Sequence, residues 1–197
     1  MAEIVLIRHG ETEWSKSGQH TGRTDIPLTR NGRKRAAELE PLLRHRAFGL
    51  TLSSPMERAR DTAKLAGLTP DGIDDDLVEW DYGAWEGRTT PDIRVELGDP
   101  NWVIWDHPIP PGKTPGETTD EVALRCHRVI ERCVPVLDAG RDCALIAHGH
   151  VLRILTATWL GLHSDAGRLF MLEAGALSSL GFERTQHVIT GWNQTPD

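Results

Sequence analysis

The chain has 197 residues, of which 39% are hydrophobic and 26% charged, and its formal net charge is −7. This length suits a single domain over residues 1–197, and the composition argues against disorder. The acidic balance argues against partnership with nucleic acid or an anionic membrane, and no apolar run approaches the roughly 20 residues that a membrane span needs.

Targeting signals and cysteines point to the compartment. The N-terminus lacks a basic region followed by a long apolar segment, so we expect no secretory signal. The three cysteines are odd in number and show no CxxC spacing: Cys126, Cys133 and Cys143. We therefore expect a reduced, cytoplasmic chain with no metal–cysteine site. The oligomeric state stays open, a homodimer included.

The first quarter of the chain predicts a strand, a loop and a helix. Residues 3–8 are predicted to form the first strand, and residues 9–28 a polar loop long enough to be functional. A helix is predicted over residues 30–46. Its expected buried face consists of Ala36, Leu39, Leu42 and Leu43.

The next segments continue the alternation of strands and helices. A strand is predicted near residues 49–53. Ser54 as a cap and Pro55 at the first helical position then predict a helix that reaches Ala66. A short strand near residues 73–78 leads to Glu79.

The second half begins with a proline-rich region. Residues 98–116 contain five prolines and two tryptophans, Trp102 and Trp105, and are expected to form an ordered wall. Thr118 and Glu121 predict a capped helix. The apolar stripe of this helix is Val122, Cys126, Val129, Cys133 and Leu137.

The last elements complete a three-layer prediction. Strands are predicted at residues 142–147, 175–184 and 187–192, and a helix begins near Gly149. Short apolar strands that alternate with helical periods indicate an α/β domain with a mostly parallel sheet.

Two strand ends carry similar residues. The runs VLIRHG and ALIAHG place His9 and His148 directly after buried strands. If these strands are parallel neighbours, both histidines emerge at the carboxyl edge of the sheet, where α/β sheets bind ligands. Arg8, and Arg58 near a helix start, would make this pocket cationic.

A phosphoryl group suits such a pocket. Arginine presents paired donors that match phosphate oxygens, and helix N-termini add N–H groups. A neutral imidazole can attack phosphorus, and fixed cations can offset the transition-state charge without a metal or other cofactor. The leaving oxygen needs an acid. Glu79 is the candidate, because its neighbours Trp80 and Tyr82 would favour its protonated form; the alternative is a carboxylate that only pairs with an arginine.

Four motifs in order carry a family resemblance. RHGETEW, SSPMERARDTA, EWDYGAWEG and AHGH resemble the histidine phosphatase superfamily, the phosphoglycerate-mutase-like group, from residue 4 to about 160. The resemblance implies a three-layer αβα sandwich. It also implies that His9 is the phosphorylated nucleophile and Glu79 the proton donor, with Arg8, Arg58 and His148 binding the phosphoryl group.

Within this family the chain resembles the phosphatases more than the mutases. Ser15 and EWDYG differ from the asparagine and ERHYG that mutases carry. The segment 88–116 offers few cations. The motifs resemble the sedoheptulose-bisphosphatase-like branch and small acid phosphatases. The expected function is hydrolysis of a small phosphorylated sugar or related metabolite, and a mutase is the alternative.

Further residues are candidates for substrate binding. The resemblance implies that a loop at the mouth contacts substrate, with candidates Ser15, Gln19, His20, Thr21 and Gly22; solvent exposure is the alternative. Arg153 is the only charge in an apolar helix. It would bind a second phosphate or a carboxylate of the substrate, or pair with Glu173 or Glu183. His150 is interpreted as helix-start polarity.

Two other classes compete with a phosphatase. A metal-dependent hydrolase would use His148 and His150 as an HxH pair with His9, although Arg8 would repel the metal. A non-catalytic phosphate-binding protein would release no phosphate from any ester.

Overall fold

The computed structural model describes residues 2–196. Its strands are β1 (Ile4–Arg8), β2 (Phe48–Ser53), β3 (Gly72–Ile73), β4 (Asp142–Ala147), β5 (Leu177–Glu183) and β6 (Gln186–Gln194). Its α-helices are α1 (Glu13–Ser17), α2 (Arg30–Glu38), α3 (Glu40–Leu43), α4 (Glu57–Leu65), α5 (Thr90–Leu97), α6 (Thr119–Asp138) and α7 (Gly149–Trp159). Within residues 2–196, no helix has the length and apolar character to span a bilayer.

A single six-stranded sheet has the order β3-β2-β4-β1-β5-β6. Strands β1 to β4 run parallel, whereas β5 pairs antiparallel with β1 and β6 with β5. In the β1–β4 pair Ile4 lies opposite Cys143 and Arg8 opposite Ala147. The residues that follow these two strands therefore emerge side by side at one edge of the sheet.

Helices cover both faces of the sheet. Alternate residues of β1 point to opposite sides, as the period of a strand requires. Ile4 and Leu6 pack in one core with residues of α6 and α7. Val5 and Ile7 pack in a second core with residues of α3 and α4. The predicted αβα sandwich with a mostly parallel sheet is confirmed.

The helix predicted over residues 30–46 is two helices. Helix α2 ends at Glu38, and α3 begins at Glu40 with Pro41 in its first turn. Proline lacks the N–H that would continue the α2 ladder, and its ring clashes with the preceding turn. Ala36, Leu39 and Leu43 are buried, but the prediction for Leu42 is wrong because it is 49% exposed.

The segment before Glu79 is less regular than predicted. Only Gly72–Ile73 pairs as a strand, and Asp75–Leu77 forms a 3₁₀ turn. The Asp74 side chain accepts the N–H of Asp76, a local hydrogen bond that competes with sheet pairing.

The start of α4 also differs from the prediction. The helix begins at Glu57, and its cap residue Met56 provides no side-chain hydrogen bond. Ser54 does not cap the helix, because it lies three residues before the start. Its hydroxyl is instead 2.8 Å from Nε2 of His148.

Two short helices were not predicted. Helix α1 lies within the predicted 9–28 loop, and a capping box of Thr12 and Ser15 stands at its N-terminus. Helix α5 has a similar box of Thr89 and Asp92. Both helices have eight residues or fewer, too short for a clear hydrophobic period. The longer α6 has the predicted Thr118–Glu121 box and buries the whole predicted stripe.

Candidate active site

The backbone fixes His9 at the end of β1. The N–H of His9 donates to the carbonyl of Ala147 at 3.0 Å, and the His9 carbonyl accepts from Gly175 at 3.0 Å. These bonds connect the residue after β1 to the strands on both sides. His9 is 4% exposed, so its ring is held by rigid, buried structure.

Hydrogen bonding sets the tautomer of His9. Its Nδ1 lies 2.7 Å from the carbonyl oxygen of Gly10, and a carbonyl can only accept, so Nδ1 carries the proton. Burial, with the charges of Arg58 and Arg8, holds the pKa of His9 well below its usual value of 6.5. The ring is therefore neutral at pH 7, and Nε2 keeps its lone pair.

Arg8 supplies a half-buried cation beside His9. One Nη donates to the carbonyl of Leu172, whereas the buried Nε has no partner among the described residues. A Cβ on Gly149 would lie 3.2 Å from the Arg8 guanidinium carbon, so glycine allows the start of α7 to approach it closely. A guanidinium N–H beside a helix N-terminus forms an anion site.

Arg58 and His148 form a buried layer next to His9. The Nε of Arg58 donates to Nδ1 of His148 at 3.1 Å. Nε2 of His148 therefore carries the proton and donates to Ser54. The rings of His9 and His148 meet edge to face, with centroids 5.1 Å apart. Arg58 and His148 are both fully buried, so neither lines the open cleft.

The remaining donors of Arg58 hold the loop at the mouth. Its Nη atoms donate to the carbonyls of Thr21, Gly22 and Thr24 at 3.0–3.3 Å. The Glu86 carboxylate accepts the N–H groups of Gly22 and Thr24 from the other side. Hydrogen bonds to the buried Arg58 and to the Glu86 carboxylate therefore fix the backbone of this loop.

Glu79 joins the site through the start of α7. One of its oxygens accepts the N–H of Val151 at 2.8 Å and that of Trp80 at 2.9 Å, and the other accepts from His150 at 3.0 Å. These donors suit a carboxylate at a helix N-terminus. The Glu79 carboxyl group is 5% exposed and forms no ion pair with an arginine within 4.0 Å among residues 2–196.

A cleft of about 360 Å³ opens onto these groups. Eight predicted site residues line it: Arg8, His9, Ser15, Gln19, His20, Thr21, Glu79 and Arg153. Gly22 does not line the cleft; its backbone is bonded to Arg58 and Glu86. The hydroxyl of Ser15 is bonded within its capping box, and the Gln19 amide donates to the carbonyl of Gly87.

The wall far from His9 was only partly foreseen. Trp105 lines the cleft as the sequence suggested, whereas Trp102 is buried packing. Tyr82, Thr90, Val103 and Ile104 line it without having been predicted. The four come from loops or a short helix, so no periodic pattern marks them. EWDYG, which places Tyr82 three residues after Glu79, was the one available signal.

His20, Tyr82 and His150 form a neutral group in this wall. The Tyr82 hydroxyl is hydrogen-bonded to Nδ1 of His150, and the His20 and Tyr82 ring centroids are 5.0 Å apart. Burial lowers the pKa of His20 to about 4 and holds that of His150 well below 6.5. Nε2 of His20 is buried without a partner among the described residues.

Arg153 lies at the same wall and makes neither predicted ion pair. Its Nε and Nη2 donate to the carbonyls of Gly167 and Arg168, each at 3.0 Å. Its guanidinium carbon is 4.8 Å from the centroid of Trp105, a cation–π distance. Arg153 is thus anchored and presents its charge at the cleft.

The residues of the proposed HxH pair point to different partners. Both nitrogens of His148 are engaged by Arg58 and Ser54, and His150 is bonded to Tyr82. Within residues 2–196, no three His, Cys, Asp or Glu side chains are grouped so that they could hold a metal ion.

Comparison with known families identifies this architecture. The family model for the histidine phosphatase superfamily (branch 1) matches residues 4–195. The chain belongs to this superfamily. The resemblance of the four motifs is therefore confirmed over nearly the whole chain.

Individual relatives give a finer likeness. An acid phosphatase of Mycobacterium tuberculosis is 36% identical over 182 residues, which cover 91% of this chain and 86% of that protein. Sedoheptulose 1,7-bisphosphatase of Saccharomyces cerevisiae is 38% identical over 188 residues, covering 80% and 67%. A solved structure of an open-reading-frame product of Mycobacterium tuberculosis superposes with a TM-score of 0.91 at 34% identity, covering 100% of this chain and 99% of that one.

A mutase is also similar. A 2,3-bisphosphoglycerate-dependent phosphoglycerate mutase of Gloeobacter violaceus is 34% identical over 165 residues, covering 79% of this chain and 74% of that protein. Family membership and the phosphatase relatives show that this chain is a histidine-type phosphatase.

Proposed function

We propose that this histidine phosphatase hydrolyses phosphomonoesters of small phosphorylated sugars or related metabolites through a phosphohistidine at His9. The observation that carries the proposal is the neutral, buried His9, whose Nδ1–H donates to Gly10. Its Nε2 lone pair attacks phosphorus, and the bond between phosphorus and the ester oxygen breaks. Water then forms a bond to phosphorus as the bond to Nε2 breaks.

Glu79 handles the protons of both steps. It gives a proton to the leaving ester oxygen and takes one from the attacking water. Its contacts to the start of α7 fix the carboxyl group in the cleft. Arg8 offsets the charge on the phosphoryl oxygens, and Arg58 with His148 supports His9. This route needs no metal or other cofactor.

The far wall favours a polyhydroxylated alcohol. The buried His20 Nε2 lacks a partner, which is costly unless a ligand supplies one. A sugar hydroxyl can both donate and accept, so it suits His20 and the Tyr82–His150 pair. Arg153, anchored over Trp105, suits a second phosphate or a carboxylate at the far end of the substrate. A cleft of about 360 Å³ is large enough for a metabolite.

The test is phosphate release from a panel with a chelator present. The panel contains sugar mono- and bisphosphates, 3-phosphoglycerate and p-nitrophenyl phosphate. His9→Ala should lose at least about a thousandfold in kcat, whereas His45→Ala, which changes an exposed histidine, should match the wild type. A rapid quench into alkali should trap one phosphoryl group on the wild type and none on His9→Ala. Equal release by His9→Ala would overturn the proposal.

A mutase is the second candidate, because a mutase relative covers most of the chain. A mutase passes the phosphoryl group from the histidine to another hydroxyl rather than to water. The discriminating assay supplies 3-phosphoglycerate with 2,3-bisphosphoglycerate. Formation of 2-phosphoglycerate much faster than release of inorganic phosphate would replace the hydrolase proposal with a mutase.

A further inference from the structure

An ion pair lies beside the segment that carries Glu79 and does not line the cleft. Arg125 of α6 is 6% exposed. Its Nε and Nη2 donate to the two carboxylate oxygens of Glu117 at 3.0 and 3.1 Å. This bidentate geometry is the strongest that the two side chains can form.

Arg125 also binds the backbone that leads into Glu79. Its Nη1 donates to the carbonyl oxygens of Asp76 at 2.7 Å and Val78 at 2.6 Å. Val78 immediately precedes Glu79, and this segment has left the sheet after Ile73. The side chain of Arg125 therefore replaces the sheet hydrogen bonds that would otherwise fix this backbone.

Glu117 binds the backbone that leaves Glu79. Its carboxylate accepts the N–H of Asp81 at 2.9 Å, and its own N–H donates to the Asp81 carbonyl at 3.0 Å. Its carbonyl accepts the indole N–H of Trp80 at 2.7 Å. Arg125 and Glu117 together therefore bond the backbone on both sides of Glu79.

The side chain of Glu79 is fixed from the opposite direction. The N–H groups of His150 and Val151 at the start of α7 hold its two oxygens. Glu79 is therefore fixed at two points. Arg125 of α6 and Glu117, just before α6, bond the backbone on either side of it, and the start of α7 bonds its carboxyl group. A shift of the backbone would pull the carboxyl group away from its place in the cleft.

We propose that Arg125 and Glu117 are positioning residues that set the geometry of Glu79 for proton transfer. This inference rests on the proposed role of Glu79 as the acid. Neither residue lines the cleft, so any effect on the reaction is indirect, through the segment that carries Glu79. Misplacement of a reacting group by about 1 Å can cost on the order of a hundredfold in rate.

The choice of leaving group separates this role from simple stabilisation. An alkoxide leaving group is strongly basic and needs a proton from the acid, whereas p-nitrophenolate leaves readily without one. The experiment measures kcat/KM for glycerol phosphate and p-nitrophenyl phosphate, together with Tm. The ratio kcat/KM reports the steps up to release of the alcohol and leaves out the later attack of water, in which Glu79 also takes part. Arg125→Met is compared with Arg128→Met, which changes the next arginine on the same helix face. Arg128 bonds the Asp76 side chain but no carbonyl beside Glu79.

Arg125→Met should lower kcat/KM for glycerol phosphate about tenfold to a hundredfold. It should change kcat/KM for p-nitrophenyl phosphate less than about threefold, and Arg128→Met should leave both values within about twofold of the wild type. Glu117→Gln keeps the shape of the side chain and should repeat the pattern if Arg125→Met does not fold. An equal loss on both esters, or no loss with the variants folded, would overturn the inference.

Glu79→Gln tells failure of the inference from failure of the proposed function. If Glu79→Gln is selective for glycerol phosphate and the Arg125 and Glu117 variants are not, only the positioning role is wrong. If Glu79→Gln lowers kcat/KM for neither ester, or for both equally, its role as the acid is wrong and the positioning role loses its target. Given the expected selectivity, adding Arg125→Met to Glu79→Gln should cause little further loss, because both changes act through one group.

Discussion

The two ends of the cleft are built in different ways. The His9 end, formed by Arg8, His9 and the layer of Arg58 and His148, follows the ends of the paired strands β1 and β4 and the first turns of α4. The Trp105 end, formed by His20, Tyr82, Trp105, His150 and Arg153, collects side chains from three loops and from α7. One end is set by a rigid sheet edge and the other by irregular chain.

The ends also differ in charge. At the His9 end two arginines, the fully buried Arg58 and the half-buried Arg8, flank a neutral imidazole. At the Trp105 end, neutral aromatic and imidazole rings predominate. Each end holds one buried nitrogen without a partner among the described residues, Nε of Arg8 and Nε2 of His20. We therefore propose that the reaction takes place at the sheet edge and that the loops select the substrate.

The largest expected effect tests whether the His9 end serves every substrate alike. Arg8→Met removes a half-buried cation and its unpartnered Nε–H, and should lower kcat/KM about a hundredfold to a thousandfold. The loss should be the same for p-nitrophenyl phosphate and for sugar phosphates, because all share the phosphoryl group. Arg30→Met, at an exposed position in α2, is the control. A loss confined to some esters would break the division between the two ends.

The next effect concerns the loop that connects the two ends. Arg58→Met leaves the carbonyls of Thr21, Gly22 and Thr24 without their donor. The free energy of unfolding should fall by about 3 kcal/mol, since breaking a buried charged network exposes unpaired groups. Urea unfolding measures this, with Arg60→Met at an exposed position of the same helix as control. Equal stability of the two variants would contradict it.

A smaller effect tests the neutral state of the Trp105 end. Burial lowers the pKa of His20 to about 4, whereas an unfolded histidine has a pKa of about 6.5. Between these values the unfolded chain binds more protons, so stability falls as the pH falls.

The measurement is urea unfolding at about pH 7.5 and about pH 5.0. His20→Gln removes one titrating group, and its stability should fall with pH by about 2 kcal/mol less than that of the wild type. His45→Gln, at an exposed histidine, should behave as the wild type. If His20→Gln loses as much stability as the wild type, His20 is not held neutral by burial.

The smallest expected effect sharpens the comparison by substrate. Arg153→Met should lower kcat/KM for a sugar bisphosphate about tenfold, the scale of one charged hydrogen bond, and change that for a monophosphate less than about twofold. Arg168→Met alters a neighbouring cation that pairs with Asp106 and serves as control. Equal losses for both substrates would show that Arg153 does not recognise the distal group.

The sequence by itself determined the elements with strong local signals. The buried runs that end in Arg8-His9 and His148-Gly149 form strands at or within one residue of the predicted bounds. The Thr118–Glu121 box and its apolar stripe predicted α6. These predictions held because strand alternation, helix capping and helical period arise between residues close in the chain. The strand predictions also placed His9 and His148 together, because the carboxyl ends of the parallel neighbours β1 and β4 lie at the same edge of the sheet.

Only the tertiary structure decided how distant segments meet. It determined that Glu79 bonds the start of α7 and that Arg125 of α6 bonds the backbone just before Glu79. It also determined that Arg58 bonds the loop at the mouth of the cleft and that His20 lies beside Tyr82. It also gave Ser54 to His148 instead of to the α4 cap. Each of these contacts joins residues more than 30 positions apart. Local propensity carries no information on such pairs, because the packing of the whole sheet and its helices selects them.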